Sequence, residues 1–142
     1  MKRIMIAFTI LCTMMLSGCG IIEELRSGSD ASVVLCEDFC TAISSDDFNT
    51  ARKYLHPDST PSAADLKEFL SNLEADFEID FSDGLVLKRR KGSGMTYYDS
   101  IYDGSVYELT YEIVLGGSEI DMFFTVVKND IGFGIYAFGV IY

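Results

Sequence analysis

Residues 105–128 read Ser105-Val106-Tyr107-Glu108-Leu109-Thr110-Tyr111-Glu112-Ile113-Val114-Leu115, then Gly116-Gly117, then Ser118-Glu119-Ile120-Asp121-Met122-Phe123-Phe124-Thr125-Val126-Val127-Lys128. Large apolar residues recur at every second position on both sides of the glycine pair, and many are β-branched or aromatic. That is the pattern of two half-buried strands. A Gly-Gly pair supplies the two positive φ values of a tight hairpin turn. Centring the turn there sets Ile113 opposite Ile120, Tyr111 opposite Met122, Leu109 opposite Phe124 and Tyr107 opposite Val126. All eight side chains then lie on one face. A slip of one residue would send them to the other, so the register is strongly specified.

Working outward, the alternation continues through Leu85–Lys91, Met95–Tyr102 and Ile131–Tyr142, separated by Gly92-Ser93, Asp103-Gly104 and Asn129-Asp130. Tight turns at the last two sites would place Tyr98 opposite Leu109, Val126 opposite Phe133 and Phe124 opposite Ile135, on the same apolar face. The period before residue 80 is helical instead. Val33, Cys36, Cys40 and Ile43 form a stripe broadened by Leu35 and Phe39, with Ser29 or Asp30 as its cap. Asp47 is placed to cap a second helix, Phe48 to His56. Thr60-Pro61 or Ser62 starts a third, with Asp65 completing a capping-box pattern and Leu66, Phe69, Leu70, Leu73 and Phe77 at helical spacing. Helices first and hairpins after predict an α+β fold: N-terminal helices packed on a curved antiparallel sheet of four to five strands.

The predicted outer face of the sheet is less ordinary. It sets Glu112 against Asp121 and Asp99 against Glu108, and like charges directly opposed are mildly destabilising. Between them runs a row of Tyr97, Thr110, Phe123 and Tyr136, with Phe138 beside Asp121. Two readings stand: a solvated face with scattered aromatics, or a docking surface. A homodimer or a basic envelope protein would relieve the acidic pairs. Lys88-Arg89-Arg90-Lys91 is the one basic run. It reads as an edge guard against strand-to-strand aggregation, or as a contact for anionic lipid or wall polymer.

The 142 residues are 49% hydrophobic, with eight Tyr and ten Phe, which suits one domain and argues against disorder. The formal charge of −11 would repel phosphate backbones, so nucleic acid is not an expected partner. No nucleotide loop, zinc signature or calcium loop appears, and no cofactor or metal is expected. Gly132, Gly134 and Gly139 read as places of strand bending or close packing.

The N-terminus opens with Lys2-Arg3, an apolar run Ile4 to Leu16, and Ser17-Gly18-Cys19. Two cations, a dozen apolar residues and small residues have the grammar of a secretory signal, and the run is short for a permanent span. Leu16-Ser17-Gly18-Cys19 resembles the lipobox of bacterial lipoproteins. The resemblance implies that Cys19 receives diacylglycerol and becomes the mature N-terminus. The domain organisation expected is then a signal peptide at 1–18, a lipidated tether at 19–29 and a folded domain at 30–142. The chain would sit on the extracytoplasmic face of the cell membrane, or on an outer membrane in a diderm. Without residues 1–18 it carries nine bases and 22 acids, a net −13. That charge is repelled by anionic headgroups, so the domain is expected to stand off the lipid.

Cys12 leaves with the signal and Cys19 is acylated, so Cys36 and Cys40 remain. Four apart on a helix, they share a face. Two buried thiols is the reading taken, with a disulfide or metal pair as the alternative. His56, the one histidine, precedes Pro57 and is placed to cap helix carbonyls.

The stretch Phe39 to Pro57 resembles the opening of nuclear-transport-factor-2-like domains: a helix with a Phe-x-x-Ala core, an acidic-aromatic turn and a short Ala-x-x-Tyr-Leu helix. The resemblance implies an antiparallel sheet wrapped around the helices as a cone over residues 30 to 142. A cone pocket would be lined by Tyr98, Tyr107, Tyr111 and His56, and would take a small apolar ligand. In isomerase-like members of that superfamily a carboxylate base sits inside the cone. Here Asp99, Glu108, Glu112 and Asp121 are assigned to the other face. The expected function is a membrane-anchored lipoprotein with a non-enzymatic ligand- or protein-binding domain. The alternatives are an envelope enzyme of isomerase or hydrolase type working in the cone, and a structural dimerisation module.

Overall fold

The computed structural model describes residues 24–141. The first helix, α1, is helical throughout 24–44. This shortens the expected tether, because Ser27-Gly28-Ser29 lies inside the helix. The reason is packing: a Cβ at Gly28 would lie 2.0 Å from the Tyr107 hydroxyl, so glycine is what lets the helix pass under that ring. One turn on, the buried Ser32 hydroxyl donates to the Gly28 carbonyl at 2.7 Å. Cys36, Phe39, Cys40 and Ile43 form the buried stripe.

Asp47 caps α2 (Phe48–Ala51), its carboxylate accepting from the Thr50 amide at 3.0 Å. The expected helix to His56 ends early, in a 3-10 turn at Arg52–Tyr54. His56 is extended, as a residue before proline prefers to be, and a second 3-10 turn covers Pro57–Ser59. Helix α3 (Ala63–Phe77) begins with the expected capping box between Ser62 and Asp65. Leu66 and Leu70 are buried, whereas Phe69 remains partly exposed.

Four antiparallel strands follow in sheet order β1-β2-β3-β4: β1 Val86–Asp99, β2 Gly104–Leu115, β3 Ser118–Asn129 and β4 Phe133–Ile141. The β2–β3 register is the expected one, with Ile113 on Ile120, Tyr111 on Met122, Leu109 on Phe124 and Tyr107 on Val126. Three other expectations are corrected. The segments 85–91 and 95–102 form one strand, because Gly92-Ser93-Gly94 stays paired to Thr110, Leu109 and Glu108 and the excess length is absorbed at register shifts. Asp103-Gly104 is consequently not a two-residue turn. Asp99 pairs with Gly104, Glu108 pairs with Gly94, and Tyr98 does not oppose Leu109. In the β3–β4 hairpin the turn is wider than Asn129-Asp130, so Val126 meets Ile135 and Lys128 meets Phe133.

A bulge at Tyr136 then flips the rest of β4. Phe124 pairs with Phe138, whose ring packs 4.8 Å from Phe39 and 5.3 Å from Phe69 (centroid distances). Phe138 is therefore an inner-face residue, not a neighbour of Asp121 on the outer face. The core is closed by Phe39, Ile43, Leu66, Tyr107, Leu109, Ile113, Met122, Phe124 and Ile135, all at most 1% exposed.

Candidate functional site

The expected pocket between Tyr98, Tyr107, Tyr111 and His56 is not assembled. Tyr107 and Tyr111 do lie on the inner face, 1% and 4% exposed, but the space they face is occupied by α1. Both hydroxyls are buried without a hydrogen-bond partner among the described residues. Burial, with the Cys36 thiol and Glu37 nearby, pushes the Tyr111 hydroxyl up from its ordinary value. Cys36 and Cys40 are buried and unbridged, and burial raises the Cys40 thiol to about 12, so neither is a ready nucleophile. Tyr98 is at the far tip of β1, 58% exposed, its hydroxyl donating to Asp103 at 2.6 Å.

His56 is fully buried elsewhere, against β4. Its Nδ1 accepts from the Asp58 amide at 3.2 Å, which leaves the proton on Nε2 to donate to Asn129 Oδ1 at 3.0 Å. It thus caps an N-terminus and not helix carbonyls as expected. Asn129 is the junction sequence reasoning missed. Its Oδ1 also accepts from the Ile131 and Gly132 amides at 3.0 and 3.1 Å, and its Nδ2 donates to the Tyr102 carbonyl at 2.9 Å. One side chain therefore ties both loops at this end of the sheet to the His56 turn.

The outer face keeps Glu112 opposite Asp121, but the conflict is resolved within the chain. Lys88 and Arg89 reach Glu112 at 3.3 and 3.2 Å, Lys91 reaches Asp121 at 2.8 Å, and Lys88 also pairs with Glu119. A basic partner is not needed to neutralise these acids. Of the aromatic row, Thr110 and Phe123 pair as expected, but the row does not run on unbroken from them. Phe138 is inside, Tyr136 sits 5.7 Å from His56 and 4.9 Å from Tyr102 by ring centroids, and Phe123 lies over Gly139. Tyr97 lines a cleft at the loop end of the sheet.

Hydrogen bonds from Lys88, then from Arg89, hold the Glu112 carboxyl below the usual carboxylate range. A carboxyl depressed by folding stabilises the native state above its unfolded pKa of about 4.3, and that contribution is lost as pH falls through the lower folded value. The urea midpoint of the wild-type domain is therefore expected to drop below about pH 4, and Glu112→Gln is expected to flatten part of that limb. Parallel wild-type and variant titrations of the midpoint check it.

What the structure does assemble is an apolar groove between α3 and β4. Leu55, Leu66, Phe69, Tyr136, Ala137 and Phe138 line it, Ser59 and Asp65 stand among the lining residues, and its volume is about 340 Å³. Phe69 and Tyr136 are 44% and 39% exposed there. The sequence places Phe69 at helical spacing with Leu66 and Leu70 and gives no sign of a groove. The bulge that turns Phe138 inward, toward Phe69, has no local signature.

In comparisons with known proteins, no family model, curated protein or solved structure matches this chain. Among the described residues, no helix is long and apolar enough to cross a membrane, and no three His, Cys, Asp or Glu side chains are grouped to hold a metal ion. Cys19 lies outside the described residues.

Proposed function

We propose that the chain is a lipoprotein held on the extracytoplasmic face of a membrane through Cys19, carrying a non-enzymatic binding domain. The observation that carries this reading is Leu16-Ser17-Gly18-Cys19 directly after a cation-led apolar run. A kinship with nuclear-transport-factor-2-like domains is part of the proposal. It is supported by three helices preceding an antiparallel meander, with the Phe39–Pro57 motif forming the end of α1, α2 and the following turns. The binding region of this reading moves from the filled interior to the α3–β4 groove. Its aromatic walls suit a small apolar ligand, with Ser59 and Asp65 to orient a polar end.

The test is purification of the full chain from membranes, followed by native mass spectrometry. The expected mature mass lacks residues 1–18 and carries diacylglycerol on Cys19. A small apolar molecule is expected to co-purify, and to be lost from Phe69→Ala, which removes an aromatic wall of the groove. An unmodified N-terminal methionine defeats the lipid anchor. Equal ligand occupancy in Phe69→Ala defeats the groove.

A further inference from the structure

We propose that the loop end of the sheet rests on the lipid surface, with Ile101 and Ile131 inserted among the headgroups of zwitterionic lipid. This rests on the lipid-anchor reading and deepens it.

The first residue described is already part of this end. Glu24 pairs with Lys128 at 3.1 Å and lines a cleft with Tyr97, Tyr98 and Asp103. Cys19 stands five residues before Glu24. Five residues span at most about 18 Å even when fully extended. Acyl chains on Cys19 therefore hold this end, and no other, within that distance of the bilayer. The domain does not stand off the membrane on an eleven-residue tether, because α1 is helical from residue 24.

The same end presents bare apolar side chains. Ile101, in the β1–β2 loop, is 85% exposed, and Ile131, in the β3–β4 loop, is 58% exposed. Tyr97 and Tyr98 stand beside them, also half exposed, and tyrosine suits the membrane–water boundary. Both loops are set in advance. Asp99 Oδ1 accepts from the Ile101 amide at 2.8 Å, and Asn129 bonds the Ile131 amide and the Tyr102 carbonyl. Little ordering is left to be done on contact.

Charge selects the lipid. Asp99, Asp103 and Asp130 flank the two isoleucines, while Lys128 is engaged by Glu24. An anionic surface would repel this end, and a zwitterionic one would not.

The chain contains no tryptophan, so a single introduced one is a clean reporter. Full-length lipidated Ile101→Trp, Ile131→Trp and Val86→Trp would be reconstituted separately in phosphatidylethanolamine–phosphatidylcholine vesicles containing chain-brominated lipid. Val86 is 57% exposed at the opposite end of the sheet, on the far side of twelve-residue strands. Loss of emission is expected at positions 101 and 131 and not at 86, and it should weaken as phosphatidylglycerol replaces neutral lipid. Membrane-bound protein with all three reporters unquenched, or quenched alike, overturns the contact while leaving the anchor standing. Quenching that strengthens with anionic lipid overturns the charge selection. A soluble chain without lipid on Cys19 overturns the anchor and the contact together.

Discussion

Gly134→Val is expected to cost about 3–5 kcal/mol and to leave the domain close to unfolding, by adding an overpacked backbone contact to several lost hydrogen bonds. A Cβ at position 134 would lie 2.5 Å from the His56 nitrogen and 2.6 Å from the Leu55 carbonyl carbon. Both are backbone atoms, so no side-chain rotation makes room. The Leu55-His56 strap must lift from β4. Lifting it breaks the Leu55–Ile135 bridge and the His56 amide bond to the Ile135 carbonyl at 2.8 Å. It also withdraws the imidazole from Asn129, and with it the brace on both loops. The control is Gly92→Ala. Only the Thr110 Cβ lies near a Cβ there, at 4.0 Å, and an exposed strand position of this kind should change stability by less than about 1 kcal/mol. Urea unfolding followed by circular dichroism separates the two. Gly134→Val as stable as Gly92→Ala would mean that the strap does not lie on β4 as described.

That contrast marks what is legible in this sequence. The β2–β3 hairpin was readable because its turn is local: Gly116 and Gly117 adopt φ of 53° and 87°, as a tight Gly-Gly turn demands. The capping box at Ser62 and Asp65 is readable for the same reason, with partners three residues apart. The glycines of β1 misled because whether Gly92-Ser93 turns or stays paired depends on β2, an uninterrupted twelve-residue partner seventeen or so positions on. Beyond the bulge, the β4 face was misassigned for a related reason. Tyr136 is looped out next to Ile135, the residue bridged by a strap eighty positions upstream. The His56–Asn129 bond spans 73 residues, and neither residue carries a sequence mark of the other. The candidate groove inherits this opacity, since its walls combine α3, the strap and the flipped part of β4.

Cys19→Ser is expected to abolish the lipid anchor, and the consequence follows from comparing what holds the chain with what pushes it away. A hydroxyl in place of the thiol cannot form the thioether to diacylglycerol. A single acyl chain gives only reversible binding, with an association constant of about 10⁴ M⁻¹, whereas two give a stable anchor. The protein's own contact is weaker still. Full burial of an isoleucine side chain contributes about 1.5–3 kcal/mol, and Ile101 and Ile131 would be only partly withdrawn from water at a headgroup layer. Against that stand 22 acids to nine bases in residues 19–142. The loop end can orient an anchored domain but cannot retain a free one. The variant should therefore keep residues 1–18 and lack the lipid mass, both read from its intact mass; what membrane association remains is that of the retained apolar run Ile4 to Leu16. Cys12→Ser, within the segment that the lipoprotein reading has removed, should behave as wild type. A Cys19→Ser chain that loses residues 1–18 and carries the wild-type lipid mass would place the attachment elsewhere, and the orientation argued for Ile101 and Ile131 would lose its reference point.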